Sequence, residues 1–575
     1  MSQWYRPAPV TAFLARPADP DACSRIAQAL NVHPVTAQLL VQRGLESPEA
    51  ARAFLNADVD SMHEPSLFRD MDAALDRIDG ACRDGVRIAI YGDYDVDGVC
   101  STAVLTRTLR AMGADVRPFI PHRVRDGYGL SGEALNALHD EGCGLVVTVD
   151  NGVTRAAEIA AAQERGLAVV VTDHHEPGPE MPPCPVINPK RADTTYPFSG
   201  LAGCGVAFKV ALALAERRGP EFQTKFKAML PDLLALVAMG TIADVMPLLD
   251  ENRVIVRGGL KALAGTRHAG LRALLKISRC DGRVLRASDI SFRIGPRINA
   301  AGRLDSAHLA LDLILCTDPT EAKRLAKALD AGNRERQKIE RRHSEEAIER
   351  AERAIAESDP AALVIAGEGW HPGVIGIVAA RVAERFKRPA AMIALDGDEG
   401  KGSARSSGGV RLHQALAACS EHLQTHGGHA LAAGFTLSAD AVDAFRTSFV
   451  EAVESQGLRD SDTTLVDAEL PLDAIQPALA RELELLEPFG ASNREPVFFA
   501  RGVRLAGKPR FVGKDGTHLI FYAASDKSSW RAVAFKQAAS APLLNNPFDI
   551  SFCIRPREDR DGLELHVREI VATAG

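Results

Sequence analysis

The chain has 575 residues, more than one hydrophobic core supports, so several domains are expected. Hydrophobic residues make up 46% and charged residues 25%, the balance of an ordinary folded protein, which excludes a disordered chain. A formal charge of -7 excludes a uniformly basic surface, so contacts to nucleic acid would have to come from local basic patches.

Residues 1–83 are expected to form a helical N-terminal extension, with helix starts at Asp19-Pro20 and Ser47-Pro48. Three short β-branched apolar runs follow, Val86–Tyr91, Leu145–Val149 and Leu167–Val171, of the kind buried in a parallel sheet. Helical stretches at Val99–Met112 and Arg155–Arg165 alternate with them, a βαβ rhythm. Such sheets carry their sites at the carboxyl ends of the strands. At those ends stand Gly92-Asp93-Tyr94-Asp95-Val96-Asp97-Gly98, Val149-Asp150-Asn151-Gly152 and Thr172-Asp173-His174-His175, with Ala243-Asp244 further on. Carboxylates and imidazoles without thiolate suit Mn²⁺ or Mg²⁺ better than structural zinc. An EF-hand is excluded, because the acidic run follows a strand and lacks the Glu at the twelfth loop position. Taken singly, the acidic run could be a solvated turn, Asp150 a turn residue, and the His pair a core histidine beside a surface one; crowded together, the carboxylates need cations between them.

From Thr317-Asp318-Pro319-Thr320-Glu321, charged, Ala-rich sequence runs to Asp359-Pro360 and predicts a long connecting helix; apolar positions are too sparse for a coiled coil. A second α/β domain begins at Ala362–Ala366. Its turns Gly402-Ser403-Ala404-Arg405-Ser406 and Gly427-Gly428-His429 supply amides, a hydroxyl, a guanidinium and an imidazole, groups that bind phosphate. Alternating runs at 496–505, 518–523, 530–535, 549–554 and 563–570 predict a small β-barrel. There Phe511, Phe521, Tyr522 and Trp530 are candidates to stack bases beside Arg501, Arg504, Lys508, Arg510 and Lys514. Arg293, Arg297 and Arg303 form another basic group.

These motifs, with Gly240-Thr241-Ile242-Ala243-Asp244, Ile298-Asn299-Ala300-Ala301-Gly302-Arg303-Leu304 and Gly427-Gly428-His429-Ala430, resemble the DHH phosphoesterase superfamily, and within it the single-strand-specific 5′-to-3′ DNA exonucleases. The resemblance implies an α/β, multidomain architecture: a parallel-sheet DHH catalytic domain over 84–315, a connecting helix over 316–360, a DHHA1 domain over 361–458 and an OB-fold over 459–575. It implies two divalent ions, Mn²⁺ or Mg²⁺, held by Asp95, Asp97, Asp150, His174 and Asp244, with Asp150 as the bridge and Asp93 bound directly or through water. His175 is then placed to contact the scissile phosphate or protonate the departing 3′-oxygen, and Asp173 to orient a histidine. Arg123, Arg303, Ser403, Arg405 and His429 are the implied substrate-binding residues. The expected activity is release of 5′-mononucleotides from single-stranded DNA in recombination and repair. The alternatives are a short-oligonucleotide phosphodiesterase or pyrophosphatase of the same superfamily, and a non-catalytic DNA-binding scaffold.

The family also suggests a single-strand-binding protein and a helicase as partners, and the two lobes suggest a monomer. Ten cysteines without a C-x-x-C pair point to reduced thiols. With no apolar run near the length of a membrane span and no apolar signal core in MSQWYRPAPV, the expected location is the cytoplasm, away from membranes.

Overall fold

The computed structural model describes residues 12–57, 59–121, 129–304, 307–457, 463–513, 515–557 and 562–573. A strand β1 (Ala12–Ala15) and three helices, α1 (Pro20–Leu30), α2 (Pro34–Val41) and α3 (Pro48–Asn56), open the chain; each helix carries Pro at its start, after Asp19, His33 or Ser47 as the cap. After α4 (Met71–Arg83), the catalytic region winds as β2 (Arg87–Tyr91), α5 (Val96–Ala111), β3 (Val116–Phe119), α6 (Gly132–Asp140), β4 (Cys143–Val149), α7 (Ala156–Glu164), β5 (Ala168–Thr172) and β6 (Val186–Ile187). The five strands form an all-parallel sheet in the order β3-β2-β4-β5-β6. The apolar runs are thus buried strands, covered on one face by α6 and α7 and on the other by α4 and α5.

Behind the sheet pack α8 (Gly203–Arg217), α9 (Pro220–Ala243) and α10 (Asp250–Ala264). Among the described residues α9 is the one helix long and apolar enough to cross a membrane, and it serves here as a core helix, with Leu233 and Ala235–Ile242 buried against α5, α8 and α10. Then come α11 (Ala269–Ile277), a short turn α12 (Ala287–Asp289), a π-helical segment Ile290–Ile294, α13 (Gly295–Leu304) and α14 (His308–Leu315).

One helix of 40 residues, α15 (Pro319–Ser358), leads to the second lobe. Asp318 caps it by accepting the Glu321 N–H at 2.7 Å, and it ends where Asp359 turns left-handed before Pro360. At 1.5 Å per residue it spans about 60 Å. The lobe contains β7 (Leu363–Glu368), α16 (Pro372–Phe386), β8 (Ala390–Asp396), β9 (Glu399–Arg405), α17 (Leu412–Ala418), β10 (Thr425–Gly428), β11 (Ala432–Ser438) and α18 (Val442–Glu454). Its mixed sheet has the order β10-β11-β9-β8-β7, with α15 and α16 on one face and α17 and α18 on the other.

The last part holds β12 (Thr463–Val466), β13 (Ala468–Glu469), α19 (Pro477–Leu485), β14 (Phe498–Val512), β15 (His518–Ala524), β16 (Ser529–Ala534), β17 (Phe548–Pro556) and β18 (Leu563–Ala572). Strand β14 pairs with both β15 and β17, closing a five-stranded barrel around Phe498, Phe521, Phe548 and Phe552. Register shifts after Ala500 and Ala506 bend this long strand so that it can serve both neighbours.

The N-terminal segment differs from the expected helical extension. Its described residues include the strand β1, which pairs in parallel with β12. Ile26, Leu39, Leu40 and Phe54 share one core with Leu479, Leu483 and the barrel. Gln42 donates to the Asp467 carbonyl at 2.8 Å, and Glu482 accepts from the His33 N–H and the Thr36 hydroxyl. A four-residue strand whose partner lies hundreds of residues away leaves no periodic signal in the sequence. Arg253 of α10 ties this unit to the catalytic region: it is 1% exposed and donates to the carbonyls of Phe54, Leu485 and Leu486 at 2.7–2.9 Å.

Candidate metal centre

Four chain segments bring carboxylates and imidazoles to the carboxyl edge of the parallel sheet. Past β2, Asp95 caps α5 by accepting the N–H groups of Asp97 and Gly98 at 2.9 and 3.1 Å, which turns Asp97 inward from the first helical turn. Past β4, Asp150 adopts a left-handed φ of 63°, which folds its side chain back over the sheet edge. Past β5 come Asp173, His174 and His175, and Asp244 ends α9. Three groups of side chains, Asp93/Asp95/Asp150, Asp97/His174/Asp244 and Asp150/His174/His175, each present ligand atoms within 4.8 Å of one another. Two glycines permit this crowding. A Cβ at Gly203 would lie 2.6 Å from the Asp150 side chain, and one at Gly240 would lie 2.6 Å from Asp97 Oδ1.

Asp93, Asp97, Asp150 and His174 are each at most 4% exposed. Burial, with Asp97, Asp95, Asp93 and Asp244 nearby, pushes the Asp150 carboxyl well above the carboxylate range. Burial likewise raises Asp97, and burial with Asp97 and Asp95 lifts Asp244 to about 8. Burial lowers His174, which favours a neutral imidazole able to ligate. His174 Nε2 stands 3.1 Å from Asp150 Oδ1, 3.5 Å from Asp244 Oδ2 and 3.9 Å from Asp97 Oδ2. Among the described residues neither that nitrogen nor Asp150 Oδ1 has a hydrogen-bond partner. Buried polar atoms that face one another without hydrogen-bond partners are what divalent cations satisfy, so the residues fit.

Asp173 has another task. Its Oδ1 accepts from the His174 and His175 N–H groups and from His175 Nδ1 at 2.8 Å, and its Oδ2 accepts the Val153 N–H. Burial would raise it, but the His175 hydrogen bond and charge, the Val153 N–H and His174 together outweigh that and hold it below the ordinary carboxylate value. Burial pulls His175 down, and the Asp173 bond and charge, with Asp244 and Asp97, override it and raise it to about 9. Without metal, these interactions favour the charged imidazolium of His175 at neutral pH. His175 lines a cavity of about 280 Å³ with Asp93, Asp95, Asp150, Asp244, Asn299 and Arg303.

The DHH family N-terminal domain model matches residues 87–241, the DHHA1 domain model 359–455 and the RecJ OB domain model 466–566. The single-stranded-DNA-specific exonuclease RecJ of Dickeya dadantii is 40% identical over 81% of this chain and 83% of its own length. This chain belongs to the RecJ family of single-stranded-DNA-specific exonucleases. RecJ of Bacillus subtilis is 39% identical over 90% of this chain, which spans 65% of that relative's length. The crystal structure of RecJ from Thermus thermophilus in complex with Mn²⁺ superposes with a TM-score of 0.82 at 31% identity, covering 98% of this chain and 80% of that one. With Mg²⁺ the same protein gives a TM-score of 0.75.

Across from the metal residues of this RecJ family member, Arg303 Nη1 donates to the Gly373 carbonyl at 2.7 Å, and Arg405 Nη1 donates to Ser403 Oγ at 3.0 Å. Ser403 and Arg405 both rest on Gly376, where a Cβ would lie 3.0 and 2.9 Å from them. The start of α16 thus gathers Arg303, Ser403 and Arg405. His429 stands in the exposed β10–β11 turn, its N–H bound to the Ala432 carbonyl. Arg123 and Lys514 lie outside the described residues. Asn299 was not singled out from the sequence. It accepts the Val96 N–H at 3.1 Å and so joins α13 to the acidic turn; its signal was its place in the same motif as Arg303.

On the barrel the four candidate aromatics separate. Phe511 and Tyr522 are 56% and 44% exposed, whereas Phe521 is core and Trp530 is half-buried with Nε1 bound to the Leu472 carbonyl. Strand alternation sends Phe521 inward and Tyr522 outward, so those two neighbours cannot share a role. Among the basic residues, Arg501 faces Glu469 at 3.4 Å, Arg504 pairs with Asp526, and Arg297 pairs with Asp330 at 3.0 Å.

Proposed function

We propose that Asp93, Asp95, Asp97, Asp150, His174 and Asp244 hold two divalent ions, Mn²⁺ or Mg²⁺, with Asp150 common to both, and that the chain degrades single-stranded DNA from its 5′ end. The observation that carries this reading is the set of ligand groups that share Asp150 and His174, whose buried Oδ1 and Nε2 atoms have no hydrogen-bond partner among the described residues. When bound, the ions supply charge neutralisation at the phosphate and acidify water.

The chain's own residues supply the rest. His175, charged and held by Asp173, reaches the scissile phosphate and gives its proton to the departing 3′-oxygen, so that a 5′-mononucleotide leaves and the shortened strand keeps a new 5′-phosphate. Arg303, Ser403 and Arg405, with Arg123 and His429, bind the terminal 5′-phosphate, and that grip fixes which bond meets the metals. Phe511 and Tyr522 stack bases of the trailing strand. A single-strand-binding protein and a helicase provide the strand, one copy of the chain furnishes both lobes, and the enzyme works in recombination and repair in the cytoplasm, where free thiols persist.

The test is digestion of a 3′-labelled single-stranded oligonucleotide and of its duplex, with Mn²⁺, Mg²⁺ or EDTA. Stepwise shortening of the single strand alone, stopped by EDTA, is expected. A strand untouched with either metal overturns the reading. Arg405→Ala should raise KM for 5′-phosphorylated ends selectively; equal losses on phosphorylated and unphosphorylated ends would remove the phosphate role.

A further inference from the structure

Helix α15 carries a run of buried polar side chains in its middle, from Asp330 to Ser344, among them His343, which is 1% exposed. Its Nε2 accepts the backbone N–H of His371 at 3.1 Å, so its proton sits on Nδ1, and burial and Arg342 keep the ring neutral. One residue earlier, Trp370 donates from Nε1 to Glu346, also on α15, at 2.8 Å. The segment that starts α16 is therefore pinned twice to the connecting helix.

From His371 the contacts run onward to the cavity. His371 caps α16, its Nδ1 accepting the Gly373 N–H at 3.1 Å. Its carbonyl accepts the N–H groups of Val374 and Ile375. The first-turn amides of α16 are thus committed to their own cap and cannot serve an anion. What the helix start offers the pocket is placement. The Gly373 carbonyl receives Arg303 Nη1 at 2.7 Å, and a Cβ on Gly373 would lie 2.7 Å from the Arg303 carbonyl oxygen and 3.1 Å from the His371 ring. One turn on, Gly376 seats Ser403 and Arg405. Meanwhile α15 braces the helix bearing Arg303 through the Arg297–Asp330 pair.

We propose that His343, which touches no substrate, is a positioning residue for the terminal-phosphate pocket: by accepting the His371 N–H it fixes the start of α16, and Gly373 there orients Arg303. The inference rests on the reading of Arg303, Ser403 and Arg405 as that pocket. It explains why a polar ring is buried on a connecting helix where an apolar one would pack as well. It also makes α15 a gauge that sets the distance between the metals and the phosphate clamp, and hence the bond that is cut.

The test uses the full chain with 5′-phosphorylated and 5′-hydroxyl single-stranded oligonucleotides, binding read by fluorescence anisotropy in EDTA and KM and kcat read with Mn²⁺. His343→Met keeps the volume and removes the acceptor; it should weaken binding of the phosphorylated strand about tenfold, the scale of one misaligned charged hydrogen bond. The hydroxyl strand should change less than twofold, and kcat at saturation should hold. His343→Gln returns an acceptor near Nε2 and should restore most of the loss. Should His343→Met fail to fold, Gly373→Ala displaces the same contact from the other side and should give the same selective loss. Equal effects of His343→Met or Gly373→Ala on both strands, or no rescue by Gln, overturn the positioning role. Arg405→Ala separates the premises: if the unaltered protein binds both ends equally, the phosphate pocket itself is wrong. If Arg405→Ala is selective and the His343 and Gly373 variants are not, the pocket stands and this inference falls.

Discussion

Gly203 offers a way to move a metal ligand without touching it. It opens α8 with its N–H bound to Asp97 Oδ2 at 2.7 Å, while a Cβ there would meet the Asp150 Cβ at 2.6 Å and Oδ1 at 2.7 Å. Ordinary contact begins near 3.4 Å, so Gly203→Ala must open the gap by about 0.8 Å, taken up by Asp150, by the start of α8 and with it Asp97, or by both. Misplacing a reacting constellation by about 1 Å costs on the order of 100-fold in rate, or about 2.7 kcal/mol. Stability holds or falls by up to about 2 kcal/mol, because Ala gains about 1 kcal/mol over Gly in a helix and the overpacking costs about 1–3 kcal/mol. The expected result is a hundredfold fall in kcat on single-stranded DNA, a Mn²⁺ affinity weakened at least several-fold by calorimetry, and a melting midpoint within about 4 °C. Unchanged kcat and Mn²⁺ affinity would refute the claim that this glycine sets the ligand geometry.

Asp150→Ala should abolish cleavage while the metal-free protein melts no lower, since one of several crowded buried carboxylates is gone; residual activity above a few per cent would remove Asp150 from the bridging position. Asp244, lifted to about 8 without metal, binds a proton in the folded state that the unfolded chain releases near pH 4, so this stabilisation of the metal-free protein is lost as pH rises through about 8. Cations compete with that proton, so the gain in melting temperature from Mn²⁺ should grow between pH 6 and pH 9, with proton release seen as a buffer-dependent binding enthalpy; a gain independent of pH would contradict it. Arg253→Met should cost about 3 kcal/mol in urea unfolding by leaving the carbonyls of Phe54, Leu485 and Leu486 without a donor, and a cost below 1 kcal/mol would mean that water replaces the guanidinium.

The parallel sheet was legible because its strands are continuous β-branched runs, a pattern that only burial on both faces explains. The candidate ligands at the strand ends stood out for a related reason: Asp93 to Asp97, Asp150 and His174 interrupt those runs where the chain must leave the sheet. The barrel could be read from alternation, but alternation alone did not separate Phe521 from Tyr522, since the inward phase depends on closure through β14 and β17. The demands on Gly203 and Gly240 could not be read at all, because they arise from contacts with residues 53 and 143 positions away. Nor could the brace from His343 to Arg303, whose members sit on three separate helices and have no shared motif.

The pairing of β1 with β12 and the shared core of α1 to α3 with the barrel have a consequence during synthesis. The three helices leave the ribosome roughly 400 residues before their partner surface, a wait of about 20–80 s at 5–20 residues per second. Throughout that interval Ile26, Leu39, Leu40 and Phe54 lack the α19 and barrel residues that complete their core, so the nascent chain presents an apolar surface. This early-made segment must therefore wait for its place, and its demand on chaperones ends only when the barrel emerges.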